Sequence, residues 1–325
     1  MKKVLKSKFG WDVNALDPYV DQEAVEIVTN EVLAGETLSL ISIEEDVKFK
    51  KKLKKMDAVV DWTTGDACGF EPDADNTVEF TDREIETAAI KYEQNFCNLD
   101  LLGTWAQKAL RQGAATSLEE LPYRDMITTY LLSLQALQVE KAIWNANATS
   151  GVGNLSFFDG LETVITAASA SCIDINTGGA TTFDSSNAYD VLWGAYTDMA
   201  ASDTGMAVLE AGAIAWLTRN QYNALIKNIT DLNLFNFDPT AAAAEKTFVL
   251  PGTDLVIRRI NGRSDDTKFY IANGNNLVFG TDLASDSTDL RLWYTEDLEQ
   301  LRFRLRMRAG TQIRKPEEIG YFELA

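Results

Sequence analysis

"LRFRLRMRAG", residues 301–310, sets arginine at every second position: Arg302, Arg304, Arg306 and Arg308, with Leu301, Phe303, Leu305 and Met307 between them. A period of two is that of a β-strand, so the arginines share one face and the apolar side chains the other. The apolar face asks for a core. The arginine face asks for anions. The chain around it has 325 residues and a net charge of −19, and nearly all of the acidic excess lies between residues 56 and 285. A surface of that sign repels nucleic acid at long range.

Outward from this strand, "DLRLWYT" (289–295) reads as a second strand before it, and "IGYFEL" (319–324) closes the chain as a third. Farther back, "TDLVIRRI" (253–260) and "KFYIANGNNLVFG" (268–280) read as strands joined by the turn signal "NGRSDD". "AIAWLT" (213–218) is a buried strand followed by the helix "RNQYNALIKNI", and "SSNAYDVLWGAYTDMAAS" (185–202) is a capped helix. "LPYRDMITTYLLSLQALQVEKAIWNAN" predicts a long helix over 122–146. Pro122 falls in its first turn, and Ile127, Tyr130, Leu131, Leu134, Leu137 and Ile143 form its apolar face.

The N-terminal third is different. Residues 1–45 read as an extended arm with one helical stretch at 21–34, and another short helix falls near 103–112. "VKFKKKLKKMDAVVDW" (47–62) alternates apolar residues with lysine. A polar tip with glycine and proline follows (63–76), and the return "TVEFTDREIETAAIKYEQNFCNL" (77–99) carries Glu79, Asp82, Glu84 and Glu86. This predicts a long hairpin with a basic arm opposite an acidic one, whose cross-strand pairs satisfy the lysines. A lysine run also has the composition of a nucleic-acid patch; the self-paired hairpin is the reading favoured. Segments far apart in sequence must pack together, so the fold class is α+β.

Composition excludes much chemistry. The chain has no histidine, which removes Ser-His-Asp and Cys-His catalysis and histidine metal ligands. Cys68, Cys97 and Cys172 have no disulfide or zinc spacing and read as free thiols of a reducing cytoplasm. No run of about 18 apolar residues suits a membrane span. "GVGNLS" (151–156) lacks the third glycine and the preceding strand of a phosphate loop. Asp73, Asp75, Thr77, Glu79 and Glu84 approach calcium-loop spacing, but Val78 stands where the sharp turn needs glycine. The expectation is a structural protein, not an enzyme, with no catalytic residues, no cofactor and no metal.

The order of these segments resembles the major capsid protein of tailed double-stranded DNA phages, the Hong Kong 97-type fold, over most of the chain. The residues that carry the resemblance are "FRLRMRAGTQIRKPEEIGYFEL" (303–324), "AWLTRNQYNALIKNITD" (215–231), the helix ending in "EKAIWNAN" with the "FFDGL" after it, and "LPGTDLVIRRI" (250–260). In the family, an Arg-x-Arg strand end and a small turn lead through a proline to a last apolar strand; here these are Arg306, Arg308, Ala309–Gly310, Pro316 and "YFEL".

The resemblance implies an N-terminal arm (1–45) and an extended β-hairpin loop (46–95). It implies a peripheral domain (96–185) built on the spine helix 122–146, an axial domain (186–285), and peripheral C-terminal strands (286–325). It implies self-assembly through hexamers and pentamers into an icosahedral shell around phage DNA, made in the host cytoplasm and ending as the virion capsid. With no scaffolding segment ahead of the arm, it implies a separate scaffolding protein or an already processed chain, with a portal and a decoration protein as further partners, DNA by proximity only and no membrane. The alternative with the same fold is an encapsulin, a cellular shell for protein cargo. No residue here matches the Lys, Asn and acid that cross-link subunits in some members.

In the family, the extended loop of one subunit lies across the peripheral domain of its neighbour. The loop here holds Asp61, Asp66, Glu71, Asp73, Asp75, Glu79, Asp82 and Glu84. The arginine row then reads as a receptor for the neighbour's acidic loop. Two other readings stay open: neutralisation within its own sheet by Glu296, Asp297 and Glu299, and contact with DNA.

Overall fold

In the computed structural model of the chain, the described residues are 36–59, 62, 77–97, 123–232, 247–282, 289–295 and 300–325. The helical stretch at 21–34, the short helix near 103–112, the hairpin tip and Pro122 lie outside them.

The elements in chain order are β1 (Ser42–Glu44), β2 (Lys50–Ala58), β3 (Val78–Glu86), β4 (Ala88–Cys97), α1 (Tyr123–Asn145), α2 (Leu161–Ala167), β5 (Ile173–Asp174), α3 (Ala188–Ala200) and α4 (Asp203–Glu210). They continue with β6 (Ile214–Thr218), α5 (Arg219–Asp231), β7 (Thr247–Val249), β8 (Val256–Ile260), β9 (Lys268–Ala272), β10 (Leu277–Gly280), β11 (Asp289–Thr295), β12 (Gln300–Ile313) and β13 (Gly320–Glu323).

Three sheets result. The first has the order β1-β10-β12-β11, with β4 also paired to β12; the second runs β5-β13-β9-β6-β8-β7; β2 and β3 form a two-stranded ribbon. The arginine strand β12 is the centre of the first sheet. Its residues 300–309 pair antiparallel with β4, 300–306 with β11, and 310–313 with β10.

The expected small turn at Ala309–Gly310 is not there: β12 runs on to Ile313. Gly310 serves close approach instead, because a Cβ at that position would run into the Glu86 carbonyl where β3 passes over into β4. Pro316 opens a short 3₁₀ turn that leads into β13.

Two cores lie side by side. In one, Val139, Ala142, Ile143 and Trp144 of α1 pack on Met307, Ala309 and Ile313 of β12 and on Leu277 and Phe279 of β10. In the other, α3, α4 and α5 cover the six-stranded sheet through Leu192, Met199, Leu209, Tyr222, Leu225 and Ile229. Arg263 ties the first core to the second sheet. Its side chain is fully buried, bound to Glu162 of α2 (2.7 Å) and to the Trp216 carbonyl of β6 (2.6 Å), and it lies over the rings of Trp144 and Tyr270.

The helix α1 forms where expected and buries Leu131 and Ile143 of the expected face, but not Leu134 and Leu137. Leu134 and Leu137 are 41% and 43% exposed, while Leu131, Leu132, Val139, Ala142 and Ile143 are buried. At about 100° per residue, these five span one arc centred near Val139 and Ala146, with Leu134 and Leu137 outside it; Trp144, on Leu137's side, is buried under Arg263 and Thr37. Of the Leu131, Leu134, Leu137 stripe only Leu131 is buried, and the inward arc turns instead toward Val139 and Ala142. The helix α3 lacks the side-chain cap expected of it: Asn187 at its N-cap makes no capping bond. The strand-to-helix step β6–α5 is capped on both sides, by Thr218 and Gln221 in a capping box.

Candidate assembly surface

The hairpin has the predicted charge ladder. Lys50 stands opposite Glu86, Lys52 opposite Glu84 and Lys54 opposite Asp82. Lys50 reaches Glu86 at 3.0 Å, which raises its pKa through the neighbouring carboxylate, and Lys52 reaches Asp82 at 3.1 Å. On the other face Lys51 binds Glu44 (2.9 Å), and Lys55 binds Asp57 (2.7 Å) and Glu317. The lysine row is thus paired largely with carboxylates of its own chain.

Beyond the charged root the ribbon changes character. Met56 stands opposite Phe80 and Ala58 opposite Val78 on the same outward face. Phe80 is 70% exposed, Met56 and Val78 are exposed with it, and Trp62 is 92% exposed. Sequence reasoning missed this patch. Its signal was the switch from lysine to apolar residues at alternate positions along 54–62 and 78–80. A two-stranded ribbon is marginal alone in water. Among the described residues the ribbon is anchored over its first half: Leu53 and Ile85 pack with Val47 and Val278, Arg83 donates to Gln312 (3.3 Å), Gln312 donates to the Glu84 carbonyl (2.7 Å), and Lys55 binds Glu317.

The arginine row is as regular as the sequence implied. Phe303, Leu305, Met307 and Ala309 are buried, whereas Arg302, Arg304 and Arg308 are half-buried and Arg306 is exposed. Across the ladder on β4, Asn95 stands opposite Arg302, Glu93 opposite Arg304, Lys91 opposite Arg306 and Ala89 opposite Arg308. On β11, Asp289 is in register with Arg306 and Arg291 with Arg304.

Glu93 is thus an in-chain counter-charge that sequence reasoning missed. Lys91 binds it at 2.9 Å, and that bond, helped by Arg304 and Arg306, holds its carboxyl below the ordinary range. Nothing in local periodicity marks it, because it meets the arginines only through the pairing of strands some 200 residues apart in sequence. Arg308 is turned to the hairpin root. Its guanidinium lies 4.4 Å from the Phe49 ring centre, and Nη1 donates to the Lys48 carbonyl. The Arg302 Nε is buried with no acceptor among the described residues.

Of the rest of the predicted set, only ribbon residues are described. Asp61, Asp66, Glu71, Asp73, Asp75, Glu296, Asp297 and Glu299 lie outside the described residues. Glu79 and Glu84 stand opposite Asp57 and Lys52 within the ribbon, and Asp82 is bound to Lys52. Among the described residues no group of His, Cys, Asp and Glu side chains is arranged to hold a metal, and no helix is long and apolar enough to cross a membrane. Cys172 is half-buried, and burial pushes its thiol up to about 11, so it is a poor nucleophile. An apolar groove of about 290 Å³ runs between α1 and the β4–β12 pair, lined by Tyr92, Leu131, Leu134, Phe157 and Met307 among others.

No family model matches the chain, and no curated protein matches it in sequence. Solved structures do match in fold. A chain of the satellite phage P4 procapsid, in a structure that includes the size determination (Sid) protein, superposes with a TM-score of 0.56 at 12% identity over 93% of this chain and 98% of that one. A chain of Microbacterium phage Oxtober96 gives 0.56 at 11% identity over 89% and 90%. A chain from the capsid of an empty GTA particle gives 0.56 at 14% over 90% of each. The fold of this chain is therefore that of the tailed-phage major capsid proteins, the α+β Hong Kong 97-type fold.

Proposed function

We propose that the chain is a shell-forming major capsid protein that assembles through hexamers and pentamers into an icosahedral container for phage DNA. The observation that carries this reading is the coincidence of a capsid fold over nine-tenths of the chain with a hairpin that leaves a bare apolar face. A surface that its own fold does not cover is what a repeating assembly uses. In this reading residues 1–45 are the arm, 46–95 the extended loop, 186–285 the axial domain, and 96–185 with 286–325 the peripheral domain. A separate scaffolding protein, a portal and a decoration protein are its partners in the host cytoplasm, DNA is a neighbour by packing only, and the protein's work is structural.

The arginine row belongs to the same proposal. Arg302, Arg304, Arg306 and Arg308, with Lys91 and Arg291 on the neighbouring strands, outnumber Glu93 and Asp289 in the same ladders. The acidic residues Asp66, Glu71, Asp73 and Asp75 of a neighbouring loop would supply the missing anions. Electron microscopy of the protein expressed with its genomic neighbours tests the reading. Icosahedral shells that package DNA support it. Shells loaded with a cellular protein instead of DNA would transfer the chain to the encapsulin type, and failure to form any shell would end it.

A further inference from the structure

The sequence contains two Asn-Gly pairs, Asn261–Gly262 and Asn273–Gly274. Glycine after asparagine leaves the next backbone nitrogen unshielded by a side chain, so that nitrogen can approach the asparagine side-chain carbonyl carbon. The fold treats the two pairs differently.

Asn273 caps the short 3₁₀ turn Gly274–Asn276, and both ends of its amide are engaged. Oδ1 accepts the Asn275 N–H at 3.0 Å, and Nδ2 donates to the Ala211 carbonyl at 3.0 Å. Gly274 is buried against Leu40, whose carbonyl oxygen a Cβ would meet at 1.9 Å. Asn261 is exposed and lies in the loop after β8, outside any helix or strand. Its Nδ2 donates to the two oxygens of Glu36 at 3.2 and 3.1 Å. Among the described residues, its Oδ1 takes no donor and the Gly262 N–H meets no acceptor. The Gly262 carbonyl is pinned to α1 by Asn145 Nδ2 at 2.5 Å.

We propose that Asn261 is a self-modification site: the Gly262 nitrogen displaces the Asn261 side-chain amine, with Glu36 carrying the proton, and the residue ends as aspartate or isoaspartate. The step balances. Glu36 takes the Gly262 amide proton, and the freed nitrogen bonds to Asn261 Cγ and closes an imide ring. The Cγ–Nδ2 bond then breaks, and Glu36 returns the proton so that Nδ2 leaves as ammonia. Water from the exposed side opens the ring. Opening at the side-chain carbonyl gives aspartate, and opening at the main-chain carbonyl gives isoaspartate. A carboxylate in hydrogen-bond contact with the leaving nitrogen is where a proton carrier has to stand.

The product changes the packing of the loop. Either acid sets a second carboxylate beside Glu36 and replaces a hydrogen bond by repulsion. Isoaspartate also adds a methylene to the main chain immediately before Gly262. That position has no slack, because a Cβ on Gly262 would sit 2.6 Å from the Glu140 carbonyl oxygen of α1. The change is one-way, so the seat of this loop on α1 loosens with the age of the chain.

Peptide mapping by mass spectrometry of the full chain, aged at neutral pH, tests this. Acid products at Asn261 should form at least about tenfold faster than at Asn273. Glu36→Gln keeps the side chain's size and an acceptor but carries no proton. It should slow conversion at Asn261 in the folded chain by at least about tenfold, and leave the rate in the denatured chain unchanged. Three results would each overturn the assignment. They are an Asn261 that persists in the folded chain while the denatured chain converts, conversion as fast at Asn273, and a folded Glu36→Gln protein that converts as fast as the original.

Discussion

Glu93 stands directly across the β4–β12 ladder from Arg304, while on the other side of the strand Asp289 of β11 is in register with Arg306. Lys91 binds the Glu93 carboxylate, so its charge is already shared. The row is therefore partly neutralised at its middle. Arg302 lies one step away opposite the uncharged Asn95, with an Nε that finds no acceptor among the described residues.

This arrangement predicts a separation between folding and assembly at Arg304. Arg304→Glu sets two carboxylates face to face across the ladder and reverses the sign offered to a neighbour. Shell yield by light scattering and microscopy should collapse, while the melting temperature of the isolated subunit falls only a few degrees. Lysine at Asp73 and Asp75 should restore part of the yield, and high salt should loosen shells of the original sequence. A variant that assembles normally, or one whose subunit no longer folds, would contradict the assignment.

The hairpin patch predicts the same separation through apolar contact. Phe80→Ser and Met56→Ser remove exposed side chains that touch no core, so subunit stability should change by no more than about 0.5 kcal/mol. Assembly should weaken at least tenfold in the protein concentration it requires. Normal assembly by both variants would mean that this face stays bare in the shell.

The two faces of α1 can be told apart by truncation. Leu132→Ala should cost about 2–5 kcal/mol in denaturant unfolding, because Leu132 is fully buried. Leu134→Ala, at an exposed position, should cost less than about 1 kcal/mol. A larger loss at Leu134 than at Leu132 would place the helix face wrongly.

Arg263 ties α2 to β6 of the six-stranded sheet. Arg263→Met alone strands the carboxylate of Glu162 in a buried site and should cost about 3–5 kcal/mol. The double variant Arg263→Met, Glu162→Met should recover a substantial part of that loss. Additive losses in the two single variants and the double would show that the pair is not coupled.

Much of this fold was legible in the sequence because its strands announce themselves. The arginine row, the lysine and glutamate arms of the hairpin, and the β6–α5 step all carry local periodicity. What stayed hidden depends on which segments meet. The face of α1 was ambiguous because Leu134 and Leu137 continue the apolar row of Leu131, which alone of the three is buried. Glu93 was missed because its partner lies on a strand far along the chain. Gly310 read as a turn residue, and only the passage of Glu86 over it shows why a side chain is excluded. Of the acidic loop proposed for the arginines, the tip residues Asp66, Glu71, Asp73 and Asp75 fall outside the described residues.

Sedimentation velocity of the full chain at high concentration, alone and with any scaffolding protein encoded beside it, tests the central claim most directly. The account predicts that the 36.0 kDa chain gives way to discrete species of capsomer size and then to shells. A single boundary at the mass of one chain, unchanged by concentration or by the scaffold, would contradict it.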